Sequence, residues 1–222
     1  MSQAQELVAE VRRDLRPVEE RLLQHPYLQA VEAGRLPRER LALFAGEQYA
    51  IIASDLRSVG LLVNRYGATP SGDFFLNVLQ GERAAWGHLQ TFAGALGLDA
   101  AALEAYEPLP GAHAYTCYMA WLALYASDAE VAAAYLVNFP AWGQSCARMS
   151  RALQARYGFG AAEVAFFDLF ATPAPEFEPS ALAVIQAGLD RGVAPRLVRR
   201  AARLLQGFEL LYWDALHQAS LA

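Results

Sequence analysis

The chain has 222 residues, 55% of them hydrophobic and 11% aromatic, which excludes global disorder and allows a sizeable core. Its formal charge is −5, and its only cationic cluster, Arg196, Arg199, Arg200 and Arg203, falls on one predicted helix. That pattern argues against a nucleic-acid surface and reads as a solvated helix face. The first residues carry no positive-then-apolar signal, and no apolar run reaches membrane-spanning length. Cys117 and Cys146 make neither a disulfide framework nor a metal site, so a reduced, cytoplasmic protein is expected.

Hydrophobic periodicity predicts helices from end to end. The first runs from about Gln3 to Gln24, with Leu7, Val11, Leu15, Val18 and Leu22 on one face, and His25-Pro26 stops it. Tyr27, Leu28 and Val31 form a helical turn closed by Gly34, and Pro37 opens the next helix. That helix, about Arg38 to Tyr66, carries Leu41, Phe44, Gln48, Ile51, Asp55 and Leu62 in one row. Gln48 and Asp55 interrupt it, either as rim residues or as polar groups lining a pocket. A third helix, about Asp73 to Leu96, buries Phe75, Leu79, Glu82, Trp86 and Leu89, and Gly97 ends it. A short helix over Ala100 to Tyr106 follows, and Pro108 to Gly111 breaks the chain.

A helix over about Ala112 to Ala126 carries the row Tyr115, Tyr118, Leu122 and Tyr125. Ser127 caps the next, about Asp128 to Tyr157, with Glu130 in its first turn. The row there is Val131, Tyr135, Asn138, Trp142 and Ser145, and Pro140 is expected to kink the helix. A short aromatic helix spans Glu163 to Phe170, Ala171 to Pro179 reads as loop, and Ser180 to Asp190 as a helix ended by Gly192. The last helix, about Ala194 to Ala219, shows two apolar rows: Leu197, Ala201, Leu204, Phe208, Leu211 and Ala215, and beside them Val198, Leu205, Tyr212 and Leu216. Glu209 lies within that face. Periodicity reads it first as a carboxylate at the rim, stem buried and head in water, and second as a functional carboxylate. No segment alternates with period two, so the fold class is all-α, one domain over residues 1–222.

Familiar catalytic motifs are absent. There is no Gly-x-Ser-x-Gly elbow, phosphate loop or dinucleotide fingerprint. Among the four histidines, Glu82 and His88 are six apart, about 600° of helix, and do not share a face. No metal or cofactor is expected. What remains is an aromatic set, Tyr115, Tyr118, Trp142 and Tyr212, at helical spacing beside Gln48, Asp55, Asn138 and Glu209. Buried hydroxyls, amides and carboxylates need partners, so this mixture suits a cavity that takes a flat heteroaromatic ligand.

Several segments resemble the TenA/THI-4 proteins. They are His25-Pro26-Tyr27, Gly34-x-Leu36-Pro37, a helix starting Arg38-x-x-Leu41 with Gln48-Tyr49, Ala114-Tyr115-Thr116-x-Tyr118-Met119, Ala132-Ala133-Ala134-x-Leu136, and Phe208-Glu209-x-x-Tyr212-Trp213-Asp214. They occur in order over nearly the whole chain. The resemblance implies a heme-oxygenase-like helical bundle, a homo-oligomer, and a site for thiamin or an aminopyrimidine breakdown product. The family's catalytic Glu falls on Glu209 and a pocket tyrosine on Tyr115. Asn138 stands where thiaminase II has its nucleophilic cysteine, Trp142 where it has a tyrosine one turn on, Gln48 where an Asp holds the pyrimidine amino group, and Ile51 where an aromatic residue follows. An amide cannot attack carbon as a thiolate does.

The resemblance therefore implies a divergent member. Glu209 is its candidate acid/base with Tyr115 as hydrogen-bonding partner, and Gln48, Asn138, Trp142, Tyr118, Tyr212 and Asp55 are candidate ligand contacts. The alternatives are a binding protein without chemistry or an oxygenase of the same fold. The diiron relatives' ligands, expected at Asn138 and after Phe166-Phe167, are absent from this sequence. His25, the nearest counterpart of a heme ligand, reads better as a turn residue.

Overall fold

A computed structural model describes residues 1–172 and 174–222. Among these residues the chain folds into ten α-helices and no strand. They are α1 (Gln3–Leu23), α2 (Pro26–Glu32), α3 (Leu41–Tyr66), α4 (Gly72–Ala95), α5 (Ala100–Glu104), α6 (Pro110–Tyr125), α7 (Asp128–Tyr157), α8 (Ala165–Ala171), α9 (Phe177–Asp190) and α10 (Pro195–Leu221). The expected helices are all present, with shifted ends. A 3-10 turn, Arg38–Arg40, precedes α3. Pro110 opens α6 rather than ending the break before it, and α9 begins at Phe177, inside the expected 171–179 loop. Proline is tolerated in the first turn of a helix because its missing N–H had no helical partner there. Of that expected loop, Pro173 lies outside the described residues.

Helix α7 is the axis of the bundle. Ser127 caps it with a reciprocal box: its hydroxyl accepts from the Glu130 N–H, and the Glu130 carboxylate accepts from the Ser127 N–H at 3.0 Å. Val131 to Leu136 are all buried, a helix apolar all round and packed on several sides. Its neighbours are α1, α2, α8, α9 and α10, while α3 packs chiefly on α4 and α6. Helix α7 runs through Pro140 unbroken. Proline has no N–H to give the carbonyl four residues back. Here that carbonyl, on Leu136, accepts from the Arg12 guanidinium at 3.3 Å, and Arg12 also pairs with Glu178 at 2.9 Å. The backbone group freed by Pro140 thus ties α7 to α1 and α9.

The buried face of α10 follows the second of the two expected rows. It centres on Val198, Leu205, Glu209, Tyr212, Trp213 and Leu216, while Leu211 of the other row is 47% exposed. Part of the arginine cluster also does more than face water. Arg199 pairs with Glu10 on α1, and Arg200 lies 3.8 Å from Glu130 on α7. At the other end, His25 caps α2: its Nδ1 accepts from the Tyr27 N–H at 3.2 Å and its Nε2 lies 3.1 Å from Asp214 on α10. The rest of the core is two apolar clusters, and Tyr115 on α6 packs against both.

Candidate functional site

A cavity of about 40 Å³ lies where α3, α4, α6, α7, α8 and α10 meet. Gln48, Ile51, Ile52 and Asp55 of α3 line it, with Glu82 of α4 and Tyr115 of α6. Asn138, Phe139 and Trp142 of α7, Phe170 of α8, and Glu209 and Tyr212 of α10 complete the wall. The helical periods explain the grouping. Gln48, Ile51, Ile52 and Asp55 share one face of α3, Asn138 and Trp142 one face of α7, and Glu209 and Tyr212 one face of α10. Seven of the eight expected site residues therefore meet at one place: Glu209, Tyr115, Gln48, Asn138, Trp142, Tyr212 and Asp55.

Tyr118 does not join them. It stacks on Trp121 at 5.8 Å and packs against Phe208 at 4.9 Å, away from the cavity. Three residues turn a helix by about 300°, so Tyr118 sits about 60° around α6 from Tyr115. That offset moves it to the neighbouring seam with α10.

Glu209 is 2% exposed, so its head is not in water as the rim reading expects. Its Oε1 accepts from the Trp213 indole N–H at 3.1 Å, and its Oε2 accepts from the Asn138 amide. Burial pushes its carboxyl up to about 7, against the opposing pull of those two hydrogen bonds. Asn138 also donates to Gln206 at 3.0 Å, and its Oδ1 accepts a long 3.5 Å hydrogen bond from the Tyr115 hydroxyl. Both of its amide protons are thus used within the protein. Asn138 holds Glu209 in place and has no N–H left for a ligand. The expected pair of Tyr115 with Glu209 is likewise indirect and runs through Asn138.

Two further carboxyls face the cavity. Asp55 is 3% and Glu82 7% exposed. Burial, with the charge of Glu82 beside it, raises Asp55 well above the ordinary carboxylate range, and burial raises Glu82 to about 7. The Tyr115 hydroxyl is raised by its own burial and by the charges of Asp55, Glu209 and Glu82. Asp55 Oδ1 is buried with no hydrogen-bond partner. Sequence reasoning placed Glu82 in the buried row of its helix but not in the site. Its signal was the same as that of Glu209, a carboxylate at the centre of an apolar stripe. Phe139 and Phe170 carried no such signal, because nothing distinguishes them from core aromatics.

The aromatic wall is held from behind. Trp142 lies parallel to Phe44 at 6.3 Å and edge-on to Phe170 and Tyr212 at 5.8 and 6.2 Å. Gly143 allows α8 this close, since a Cβ there would lie 2.7 Å from the Phe170 carbonyl. Cys146, one turn beyond Trp142, is buried and its thiol is pushed well up by desolvation, which suits an inert core position. Among the described residues no three His, Cys, Asp or Glu side chains are gathered to hold a metal ion. His25 does not fit a heme, since both ring nitrogens are engaged, by Tyr27 and by Asp214.

The fold and site together define an all-α bundle with a buried carboxyl in an aromatic-lined cavity. The sequence belongs to the TENA/THI-4/PQQC family, which it matches over residues 12–219. No curated protein matches it. Among solved structures it is similar to a TenA homolog from Pseudomonas syringae pv. tomato, with a TM-score of 0.80 at 15% identity over 95% of this chain and 92% of the other. A domain of unknown function with a heme oxygenase-like fold from Shewanella denitrificans gives 0.76 at 12% identity over 95% and 92%. A putative TenA-like thiaminase from Sulfolobus solfataricus gives 0.70 at 12% identity over 99% and 97%. The fold is therefore the heme-oxygenase-like bundle implied by the sequence resemblance. No helix of the described residues is long and apolar enough to cross a membrane.

Proposed function

We propose that the cavity binds a small nitrogen heteroaromatic, a thiamin-related aminopyrimidine or a close analogue, and that Glu209 serves as general acid and base in its hydrolysis. The observation that carries this reading is Glu209 itself. It is a buried carboxyl held by Trp213 and Asn138, raised to about 7, and set in an aromatic wall. A carboxyl balanced near neutral pH can both take and return a proton. The TenA-like thiaminase among the structural relatives supports the substrate class.

Asn138 supplies no nucleophile, so the attack falls to water. Glu209 takes a proton from the water as its oxygen bonds to the carbon bearing the leaving nitrogen. The carbon–nitrogen bond breaks, and the proton returns to the departing nitrogen. Water is consumed, and an alcohol and an amine are formed. Tyr212 and Gln48 present polar groups to the ring, and Trp142 and Phe170 cover its faces. The cavity is small, so ring entry requires these aromatic side chains to move outward.

A single cytoplasmic domain over residues 1–222 that assembles as a homo-oligomer accompanies this reading. The packing of Tyr115 against both apolar clusters supports the single domain. Incubation of the wild type and Glu209→Gln with thiamin and with its aminopyrimidine fragments, followed by chromatography, tests the chemistry. Hydrolysis by the wild type alone supports the enzyme. Binding without turnover in either form supports the second reading, a binding protein that retains the pocket, which the replacement of the nucleophile by Asn138 favours.

A further inference from the structure

Glu209 is held in part by Trp213, whose indole N–H donates to its Oε1 at 3.1 Å. Trp213 is itself held from behind, by a cluster that the hydrolytic reading leaves without a role. The next residue of α10, Asp214, lies 3.1 Å from His25 Nε2. The Tyr27 ring of α2 packs against the indole at 5.7 Å, and the His25 ring lies 6.2 Å from it. Tyr27 and Trp213 are fully buried, so a shift of one is felt by the other.

The chemistry of the imidazole decides how this cluster behaves. Pro26 opens α2 and brings no N–H, so the first backbone donor of that helix is the Tyr27 N–H. His25 Nδ1 accepts it at 3.2 Å. A ring nitrogen that accepts carries no proton, so the ring is neutral and its one N–H is on Nε2, aimed at Asp214. A second proton has only Nδ1 to go to, where it would face the Tyr27 N–H, donor against donor. Asp214 and His217 of α10 and Arg21 of α1 are the charged and titratable groups that act on the ring. Tyr27 of α2 brings a phenol that burial keeps neutral. Arg148 of α7 is engaged by Glu32 and by the Leu23 carbonyl. Burial outweighs the pull of Asp214 and lowers the imidazole below its ordinary 6.5.

We propose that His25 is a positioning residue whose neutral ring clamps the start of α2 to Asp214, keeps Trp213 aimed at Glu209, and lets go when the ring takes a second proton. This rests on the reading of Glu209 as the working carboxyl, but it concerns the free protein and needs no ligand. With a proton on Nδ1 the Tyr27 N–H loses its acceptor and α2 loses its cap. Tyr27 then shifts against Trp213, the indole bond to Glu209 lengthens, and the carboxyl loses one of the two donors that hold it down. A base that is lowered in the folded state stabilises the fold while neutral. That contribution is complete above pH 6.5 and is lost as pH falls through the folded value. Mild acid therefore disarms the site from behind.

The test follows the Trp213 indole N–H by NMR of protein isotopically labelled at tryptophan, from about pH 8 to about 4.5. Trp213→Phe assigns the resonance. The wild type is expected to show two steps, one at about 7 from Glu209 and one below 6.5 from His25. His25→Asn keeps a capping oxygen and does not titrate, so the lower step is expected to vanish while the upper one stays. Asp214→Asn accepts the same hydrogen bond without the charge that favours the imidazolium, so its lower step is expected to move to lower pH. Thermal melts give a second readout. Relative to His25→Asn, the wild type is expected to lose about 2–4 °C between about pH 7 and pH 5, the worth of one helix cap in a chain of this size. A histidine that only packs would offset the two melting curves equally at every pH. Parallel melts, a Trp213 signal that follows Glu209 alone, or a lower step that persists in His25→Asn or is unmoved in Asp214→Asn overturns the clamp. Each leaves the hydrolytic reading standing, because that reading fails on turnover, which none of these measurements uses.

Discussion

The Asn138 amide donates to the Glu209 carboxylate, the group proposed above as acid and base. Its second proton goes to Gln206 at 3.0 Å, which fixes the amide plane. Asn138 is thus a fixed donor, and its hydrogen bond pulls the Glu209 carboxyl down against the effect of burial. Asn138→Ala withdraws a hydrogen bond that holds the Glu209 carboxyl down and should raise it further above about 7. The pH dependence of turnover or of ligand binding should move to higher pH by the same amount. The loss leaves Gln206 without its donor and should cost about 1–3 kcal/mol of stability. An unchanged pH profile in a folded Asn138→Ala protein would remove Asn138 from the account.

Glu82→Gln should stabilise the protein at neutral pH. Burial raises Glu82 from 4.5 to about 7, so the folded state holds a proton that the unfolded chain releases. The stability this contributes is complete below pH 4.5 and is lost as pH rises through about 7. The span corresponds to an order of 3 kcal/mol for one fully buried group. Glutamine carries no such dependence. Denaturant melts from pH 4 to 8 should show the wild type losing ground to Glu82→Gln as pH rises. Parallel curves would mean that Glu82 is ionised at no cost in the folded protein.

Arg12 and Pro140 should be energetically coupled through the Leu136 carbonyl. Arg12→Ala strands that buried carbonyl and should cost about 1–3 kcal/mol. In a Pro140→Ala background the new N–H at position 140 can bond it, and the cost of Arg12→Ala should fall by about 1 kcal/mol or more. A double-mutant cycle measured by urea melts reads this directly. Additive costs would show that Arg12 acts only through Glu178.

Gly46→Ala should disturb the approach to α6. A Cβ at Gly46 would lie 2.4 Å from the Tyr106 ring. Tyr106 donates to the buried Glu47 at 2.7 Å, and Glu47 also accepts from the Leu109 N–H at 2.8 Å. Moving the ring strips one donor from a buried carboxylate, so a loss of about 1–3 kcal/mol is expected. A melting point equal to that of the wild type would show that the segment from Tyr106 to Leu109 can shift freely.

Much of this molecule was legible in the sequence because helical periodicity is a strong signal. Gln48, Ile51 and Asp55 of the α3 row and Asn138 and Trp142 of the α7 row meet in the cavity, and Ser127 caps α7 as expected. Depth was less legible than direction. Glu209 lay in the right stripe, yet period alone could not tell a rim carboxylate from one that is 2% exposed. On α10 two adjacent rows looked equally apolar, and only the packing against α6 and α7 chose between them. Glu82 was missed as a site residue because its partner Asp55 lies on another helix, and contacts between helices leave no periodic trace. Tyr118 was included because it shares a motif with Tyr115, although the turn of the helix separates them. The resemblance contributed the fold, which the structural relatives bear out.

The most direct test of the central claim is a thermal-shift titration with thiamin and its aminopyrimidine fragments on wild type and Glu209→Gln. A ligand that binds only the folded state raises the melting point further as its concentration exceeds its dissociation constant. The account predicts a concentration-dependent rise for at least one pyrimidine in the wild type and a smaller rise in Glu209→Gln. A flat response to every compound, or identical shifts in the two proteins, would contradict a heteroaromatic ligand held against Glu209.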